Sequence, residues 1–417
     1  MKLAVLGAGG RGFELARQVR RQAPWMEISA VAEPRADQRG NFAREFDLPA
    51  EALFKDWRSL MEAPTGCQAA IVATMDRDHR GPTEAALARG WHLLLEKPLA
   101  PDWEDCLAMA EAWRKAGSML AVCHSLRYHQ AFVKAHAWVE SGRVGKIQSL
   151  DLLEQVGYWH FAHSFVRGNW AKQDASTFVL LAKSCHDIDL VQWFMREPCV
   201  SVASYGSLAQ FTPASEPAGA TDYCHQGCAA KDCAYDARKL YAPKAPCWGF
   251  VEHTASVRGC SPAEAAEAMI KGREGRCVYR CDNDVADHQS VLMRYAGGAV
   301  ATFTLTAFTV DCARRLRIEG TEGTIDLEET PEGERLSLRR FDGLGEELFL
   351  PKQQGSHGGA DALLVGAWLD SVRTGKGEAV RSGMEESLAG HRIVFAAERS
   401  RKEGRMVDVQ AALAGKA

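Results

Sequence analysis

Met1 to Gly12, MKLAVLGAGGRG, is the stretch on which the fold turns. Lys2 to Leu6 is a short apolar run of the kind that forms a strand buried on both faces. Gly7-Ala8-Gly9-Gly10-Arg11-Gly12 follows at once and fits G-x-G-x-x-G. Phe13 to Ala23 then reads as a helix, with Phe13, Leu15, Ala16 and Val19 forming its buried stripe. In a strand-glycine turn-helix unit each glycine has a task. Gly7 permits the tight turn, Gly9 lets the backbone approach a pyrophosphate, and Gly12 lets the helix lie close on the strand. The free N–H groups and the positive dipole end at the helix start favour phosphate charge, and Gly10 and Arg11 of the loop join the expected cofactor residues.

A second apolar run, Glu27 to Ala32, ends at Glu33, about 20 positions after Gly12, where a dinucleotide site carries its ribose-binding acid. A carboxylate there accepts hydrogen bonds from the adenosine hydroxyls and repels a 2′-phosphate, so the expected cofactor is NAD rather than NADP. Arg35, two residues on, softens that preference. Further along, Cys67 to Thr74, Trp91 to Leu95 and Leu120 to His124 read as strands. Arg39 to Phe46, Pro82 to Arg89 and Asp102 to Ala116 read as helices between them. Such alternation implies a parallel sheet with crossover helices. Ligands bind such sheets beyond the carboxyl ends of the strands. Gly7, Glu33, Thr74, Glu96 and Lys97 all lie at those ends.

Past residue 125 the pattern changes. Lys146 to Val156 and Ser290 to Thr309 show partial period-two alternation. Leu316 to Leu327 and Glu334 to Leu350 are strand-turn-strand material. The expected fold class is an α/β Rossmann domain, residues 1–124, followed by an α+β domain with a mostly antiparallel open sheet, residues 125–417. Helices are expected at Ala360 to Arg373 and Glu385 to Glu398. Residues 212–285, rich in Cys, Gly, Pro and charge, read as an insertion in the second domain.

The chain has 417 residues, 46% of them hydrophobic and 25% charged, with a net charge of −4. That is the composition of a soluble globular protein with more than one core. No basic field exists to collect phosphates, so neither nucleic acid nor a membrane surface is an expected partner. There is no signal peptide at Met1 and no apolar run long enough to span a bilayer, so the expected location is cytoplasmic. A broad open sheet leaves a face to cover, and a homo-oligomer is expected. Of thirteen cysteines, Cys67, Cys106, Cys123, Cys199 and Cys312 read as buried thiols of a reducing compartment. Cys224, Cys228, Cys233 and Cys277, in the insertion, have loop spacings at which thiolates hold a structural zinc ion; free thiols or a disulfide are the alternatives.

Taken together, GAGGRG after the first strand, Glu33, Ala73 to His79 (ATMDRDH), Glu96-Lys97-Pro98 and the helix carrying His186 resemble the Gfo/Idh/MocA family of sugar and polyol oxidoreductases. The resemblance implies a nicotinamide and a carbohydrate substrate bound between the two domains. It implies catalytic roles for Lys97 and His186, a strained or cis turn at Pro98, and a place near the cofactor for Trp170. The residues support these roles independently. An ammonium at a strand end can hydrogen-bond a substrate hydroxyl and stabilise the alkoxide that forms as hydride leaves. An imidazole suits proton transfer near neutral pH. Asp189, three residues after His186, shares its helix face and is expected to fix its tautomer and to line the substrate site. Thr74, His79, Glu96 and Arg11 join the glycines as cofactor residues.

The chain departs from the family at Ala182, where the pattern has Asp, and at Ala175-Ser176-Thr177, where it has glycines. Lys183 stands next to the missing acid, as a substitute acid/base, a substrate anchor or a helix-surface lysine. Tyr158, His160, His163 and Arg167, from a ring-rich stretch after a strand, and Arg127, past the last Rossmann strand, are expected at the substrate. His357-Gly358-Gly359 is a further candidate. The expected function is NAD-dependent transfer of hydride from a sugar or polyol carbon. The altered region around Ala182 and Lys183 motivates an alternative, a redox-neutral NAD-dependent glycosidase. A non-catalytic NAD sensor is a third.

Overall fold

The computed structural model describes residues 1–254 and 259–413. Six short apolar runs, β1 (Lys2–Leu6), β2 (Glu27–Ala32), β3 (Leu53–Phe54), β4 (Ala69–Val72), β5 (His92–Leu95) and β6 (Leu120–Val122), pair in parallel in the order β3-β2-β1-β4-β5-β6. Helices cover both faces, which is why these strands are continuously apolar. In β1, Leu3 and Val5 pack into one cluster while Ala4 and Leu6 pack into the opposite one. The strand order reverses between β1 and β4, and the carboxyl ends flanking that point are the natural ligand crevice.

The glycine turn after β1 is sterically closed to other residues. Gly7 has φ +94°, and a Cβ on it would lie 2.4 Å from the Ala73 carbonyl oxygen. A Cβ on Gly12 would lie 2.0 Å from the Gly7 carbonyl oxygen, so the helix Gly10–Gln22 rests on the strand only because Gly12 has no side chain.

The second sheet holds β7 (Ile147–Gly157), β8 (Cys199–Ser207), β9 (His288–Tyr295), β10 (Val300–Thr309), β11 (Ala313–Gly320), β12 (Gly323–Thr330), β13 (Gly333–Arg340), β14 (Gly345–Pro351) and β15 (Val407–Asp408), in the order β14-β13-β12-β11-β7-β10-β9-β8-β15. Neighbours are antiparallel except β7 and β10. Burial alternates along β9 and β10, as expected of a sheet packed on one side. The helices Cys185–Met195 and Met384–Glu403 cover the packed side. The other side exposes Asp151, Thr302, Arg315, Arg317 and Phe349. No helix among the described residues is long and apolar enough to cross a membrane.

Two expectations, on the helix Ala360–Thr374 and on Cys312, are corrected. The helix Ala360–Thr374, assigned above to the second domain, packs Leu364, Val365 and Trp368 into the cluster of Leu3, Val5 and Phe13 in the first. The chain crosses back because the parallel sheet has a face that its own crossovers leave uncovered. The Cys-rich insertion packs into the second domain. Tyr241, Cys247, Val251 and Met269 belong to the second-domain core, and Tyr223 bridges to Arg276. Cys312 is exposed at the turn between β10 and β11, not buried.

Candidate active site

The glycine loop presents open backbone. Gly9 caps its helix without any side-chain hydrogen bond, and a Cβ on Gly10 would meet nothing within 4 Å. That leaves the first N–H groups of the helix for an anion such as a pyrophosphate. Glu33 lies buried at the end of β2 and accepts from the Ala8 amide at 2.9 Å. Burial pushes its carboxyl up, but hydrogen bonds from Arg35 and Ala8 outweigh it and hold the group below the usual range. Arg35 grips the carboxylate at 2.7 and 3.0 Å. Backbone and acid therefore fit a dinucleotide with free ribose hydroxyls.

Lys97 follows β5, and its peptide to Pro98 is cis. Its Nζ reaches across the domain boundary and donates to the Ala182 carbonyl at 2.7 Å. Ala182 ends the short helix Val179–Ala182 and His186 stands in the first turn of the next, Cys185–Met195, so the two residues lie close along the chain and the Lys97 ammonium is near enough to act on the His186 ring. His186 is 4% exposed and neither ring nitrogen has a protein partner. Burial, then Lys97 and His357, push its pKa well below 6.5, so it stands neutral, with both ring nitrogens buried and without a hydrogen-bond partner. The rings of His124 and His357 lie 5.5 and 5.4 Å from it. Glu96 is buried beside them. It accepts from Arg11 Nε at 2.7 Å and from the Lys97 amide at 3.2 Å. Trp170 donates to Asp76 at 3.1 Å, joined by Ser176 at 2.5 Å, so ATMDRDH is tied to the second domain. Thr74, in the same loop, donates to the Asp78 carbonyl at 3.0 Å.

Lys183 is not on the helix surface. Its side chain is 23% exposed and its Nζ lies 3.3 Å from Glu154 on β7. Arg314 of β11 bridges Glu154 at 3.0 Å and Asp187 at 2.6 Å. Burial alone raises both carboxyls. Lys183 and Arg314 win at Glu154, which falls to about 2, while Asp187 is pushed up to about 8 because burial and the Glu154 charge prevail. The two carboxyls titrate as one pair, and Asp187 is the one that protonates first. His160 abuts this group, 3.4 Å from Cys312, and is held neutral by burial and Lys183. Glu154, Asp187 and Arg314 went unread in the sequence; an isolated Glu in a strand carries no signal that an arginine far along the chain will meet it.

Other expected site residues are engaged elsewhere. Asp189 does not hold His186. It takes Arg127 in a two-pronged pair at 2.6 and 2.9 Å, both residues buried, so neither is left for a substrate. Asp189 and His186 share a face and both abut His124, but the carboxylate is taken by Arg127. Replacing Asp189 by alanine strands a buried guanidinium, and the expected loss is about 3–5 kcal/mol. Denaturant unfolding measures it; an unchanged midpoint would argue against the pairing. His79 has one ring nitrogen 2.7 Å from the Pro98 carbonyl and the other 3.2 Å from that of Thr74, so it pins two loops together and does not face a cofactor. Arg167 is fully buried, donating to the carbonyls of Arg276 and Tyr235. It organises the insertion rather than a substrate. His163 is bonded to the Tyr241 hydroxyl and stacked on Phe250, and Tyr158 packs on Tyr235, so both brace the insertion. Arg11 clamps Glu96 and Asp361, leaving phosphate contact to the loop backbone.

The zinc expectation is corrected as well. Cys224, Cys228, Cys233 and Cys277 line one small cavity with Arg167. Among the described residues, however, no group of three or more His, Cys, Asp or Glu side chains is placed to hold a metal ion. The Arg167 guanidinium lies 3.8 Å from the Cys224 sulfur, and burial pushes the Cys233 and Cys277 thiols up. A cation already among protonated thiols opposes a second one.

Comparison with known proteins accords with this geometry. The model of an oxidoreductase family with an NAD-binding Rossmann fold matches residues 1–124, and the model of its C-terminal alpha/beta domain matches residues 137–409. YteT of Bacillus subtilis (strain 168), whose name places it only among the oxidoreductases, is 26% identical over 310 residues, 71% of this chain and 70% of YteT. Inositol 2-dehydrogenase of Pseudomonas savastanoi pv. phaseolicola (strain 1448A / Race 6) is 28% identical over 205 residues. That match covers 48% of this chain and 56% of the dehydrogenase, so it spans little more than half of that relative. The crystal structure of scyllo-inositol dehydrogenase from Lactobacillus casei, with bound NAD(H) and scyllo-inositol, superposes with a TM-score of 0.69 at 16% identity, covering 98% of this chain and 99% of that one. With both domain models matched in order along the sequence, the chain belongs to the Gfo/Idh/MocA family of NAD-binding oxidoreductases.

Proposed function

We propose that the chain is an NAD-dependent oxidoreductase that moves hydride between a hydroxyl carbon of a polyol or sugar and nicotinamide. The observation that carries this reading is the approach of Lys97 from one domain to an unpartnered, neutral His186 of the other. Bound NAD would supply the hydride acceptor. Gly9 and Gly10 hold its pyrophosphate through backbone N–H groups, and Glu33 accepts its adenosine hydroxyls. Arg35 is engaged by that carboxylate, which favours NAD over NADP. Thr74 and Trp170 flank the nicotinamide side. Lys97 donates to the substrate oxygen and stabilises alkoxide character in the transition state. His186 takes the hydroxyl proton. Lys183, beside Glu154 and His160, anchors a neighbouring hydroxyl in place of the absent acid. A cytoplasmic location and a homo-oligomer that covers the exposed sheet face belong to the same reading.

The relatives named above are dehydrogenases or oxidoreductases, and the glycosidase alternative gains no support from them. Incubation of the purified protein with NAD and a panel of inositols, aldoses and alditols, followed by NADH absorbance, tests the proposal. Stoichiometric NADH with at least one member is expected. Binding of NAD with no NADH from any member would overturn the reading.

A further inference from the structure

The loop ahead of the helix Ala360–Thr374 is held in a costly shape. His357 has φ 51° and ψ 40°, and Gly358 and Gly359 also have positive φ. A left-handed conformation is strained for a residue with a β-carbon and persists where the surroundings enforce it, often at functional sites. The surroundings here are specific. His357 Nδ1 lies 3.2 Å from both oxygens of Asp361. Asp361 is buried and also accepts from Arg11, at 2.5 and 3.2 Å, and from the Ser125 hydroxyl. Burial works against its charge, but Arg11 and His357 hold it far below the usual carboxylate range. On the other flank, a Cβ on Gly358 would lie 2.7 Å from His129. A carboxylate on Nδ1 sets the tautomer and leaves Nε2 free to accept a proton.

The neighbourhood of His186 supplies the need for such a group. His186 is pushed well below 6.5 by burial and by nearby positive groups, so a proton received there has to move on. Two imidazoles touch its ring. His124 is fully buried and leads inward, toward Asp189 and His391. His357 is 31% exposed in its side chain and leads outward.

We propose that His357, steered by Asp361, is the outlet through which the substrate's hydroxyl proton leaves the cleft. This rests on the oxidoreductase reading above. The substrate O–H bond breaks as an N–H bond forms on His186. The imidazolium then releases the proton on its other ring nitrogen, that N–H bond breaking as an N–H bond forms on His357 Nε2 by way of an intervening water, and bulk water takes the proton from His357. The carbon's hydrogen and its electron pair leave separately as hydride to the nicotinamide cofactor. Asp361 is a positioning residue, and Arg11 ties it to the loop that holds the cofactor phosphates.

The experiment compares wild type with His357→Asn, since asparagine tolerates left-handed φ but carries no proton at these pH values. On whichever polyol or sugar the wild type oxidises, kcat is expected to fall about 10²-fold or more. KM and the NAD dissociation constant are expected to hold within about twofold, and added imidazole is expected to restore part of kcat. In cofactor-free protein labelled with ¹⁵N-histidine, His357 is expected as the Nδ1–H tautomer, lost in Asp361→Asn. Unchanged kcat in His357→Asn, or a slow variant that imidazole leaves slow, would overturn the outlet. A wild type that oxidises nothing would instead overturn the oxidoreductase reading, so the two failures are distinct.

Discussion

Replacing Lys97 by alanine is expected to lower kcat/KM about 10²- to 10⁴-fold, the usual cost of removing a charge-stabilising donor that also assists proton transfer. Of the three N–H donors on the ammonium, one goes to the Ala182 carbonyl. Among the described residues no second protein acceptor bonds to it, so two donors remain for a substrate oxygen. The loss is expected in kcat more than in NAD binding, because the glycine loop and Glu33 bind the cofactor without Lys97. Arginine at this position is not conservative, since a planar fork cannot take the place of a compact ammonium wedged against Ala182. Steady-state kinetics with a separate NAD titration checks both halves. A Lys97→Ala enzyme with wild-type kcat/KM would remove the ammonium from the chemistry.

Acidification is expected to destabilise the fold steeply once the pH drops below about 6.5. His124, His160, His163, His186 and His391 are all held neutral, in each case first by burial. His391 falls to about 3 and His163 to about 4. In the unfolded chain histidine titrates near about 6.5. Below that value the unfolded state binds protons that the folded state refuses, so stability decreases as pH falls toward the folded values, and these imidazoles leave it unchanged above about 6.5. Each such histidine costs about 1.4 kcal/mol per pH unit, or about 2 kcal/mol for His391 alone by about pH 5. Asp187, raised to about 8, works in the opposite direction and offsets about one of them. The remainder is large against a typical total stability of about 5–15 kcal/mol. Thermal unfolding from about pH 7.5 to about pH 4.5 measures the effect; a flat Tm across that range would mean that the imidazoles are hydrated or paired with charge.

Much of the architecture was legible because it depends on local rules. A glycine at position 12 with a strand before it and a helix after it has few other uses. The apolar runs at Ala69–Val72 and His92–Leu95 admit no exposed face, which already implies a covered parallel sheet. Lys97 was legible because the strand before it, the proline after it and the glycine loop far upstream share one crevice by topology alone. Cys199–Ser207 was not legible as a strand, since its serines and glycine weaken the alternation; pairing with β9 decides it.

The site divides along the same line. Sequence placed the ammonium and the imidazole, because each stands at the end of an element whose type its neighbours dictate. It misplaced the groups that charge-pairing governs. Asp189 was assigned to His186 by helical spacing, but spacing states only which face a side chain shares, and a buried Arg127 attracts it more strongly than a neutral imidazole can. Arg11, Glu96 and Asp361 meet across 350 positions of chain, and Arg314 meets Glu154 across 160. What the amino-acid order determined by itself was the dinucleotide fold, its glycine cradle and the places of Lys97 and His186, the two groups to which the proposed function gives the proton. Only the tertiary structure decided which buried charges neutralise one another and which imidazoles remain free, because removal from water forces each charge to find a partner wherever the fold brings one close.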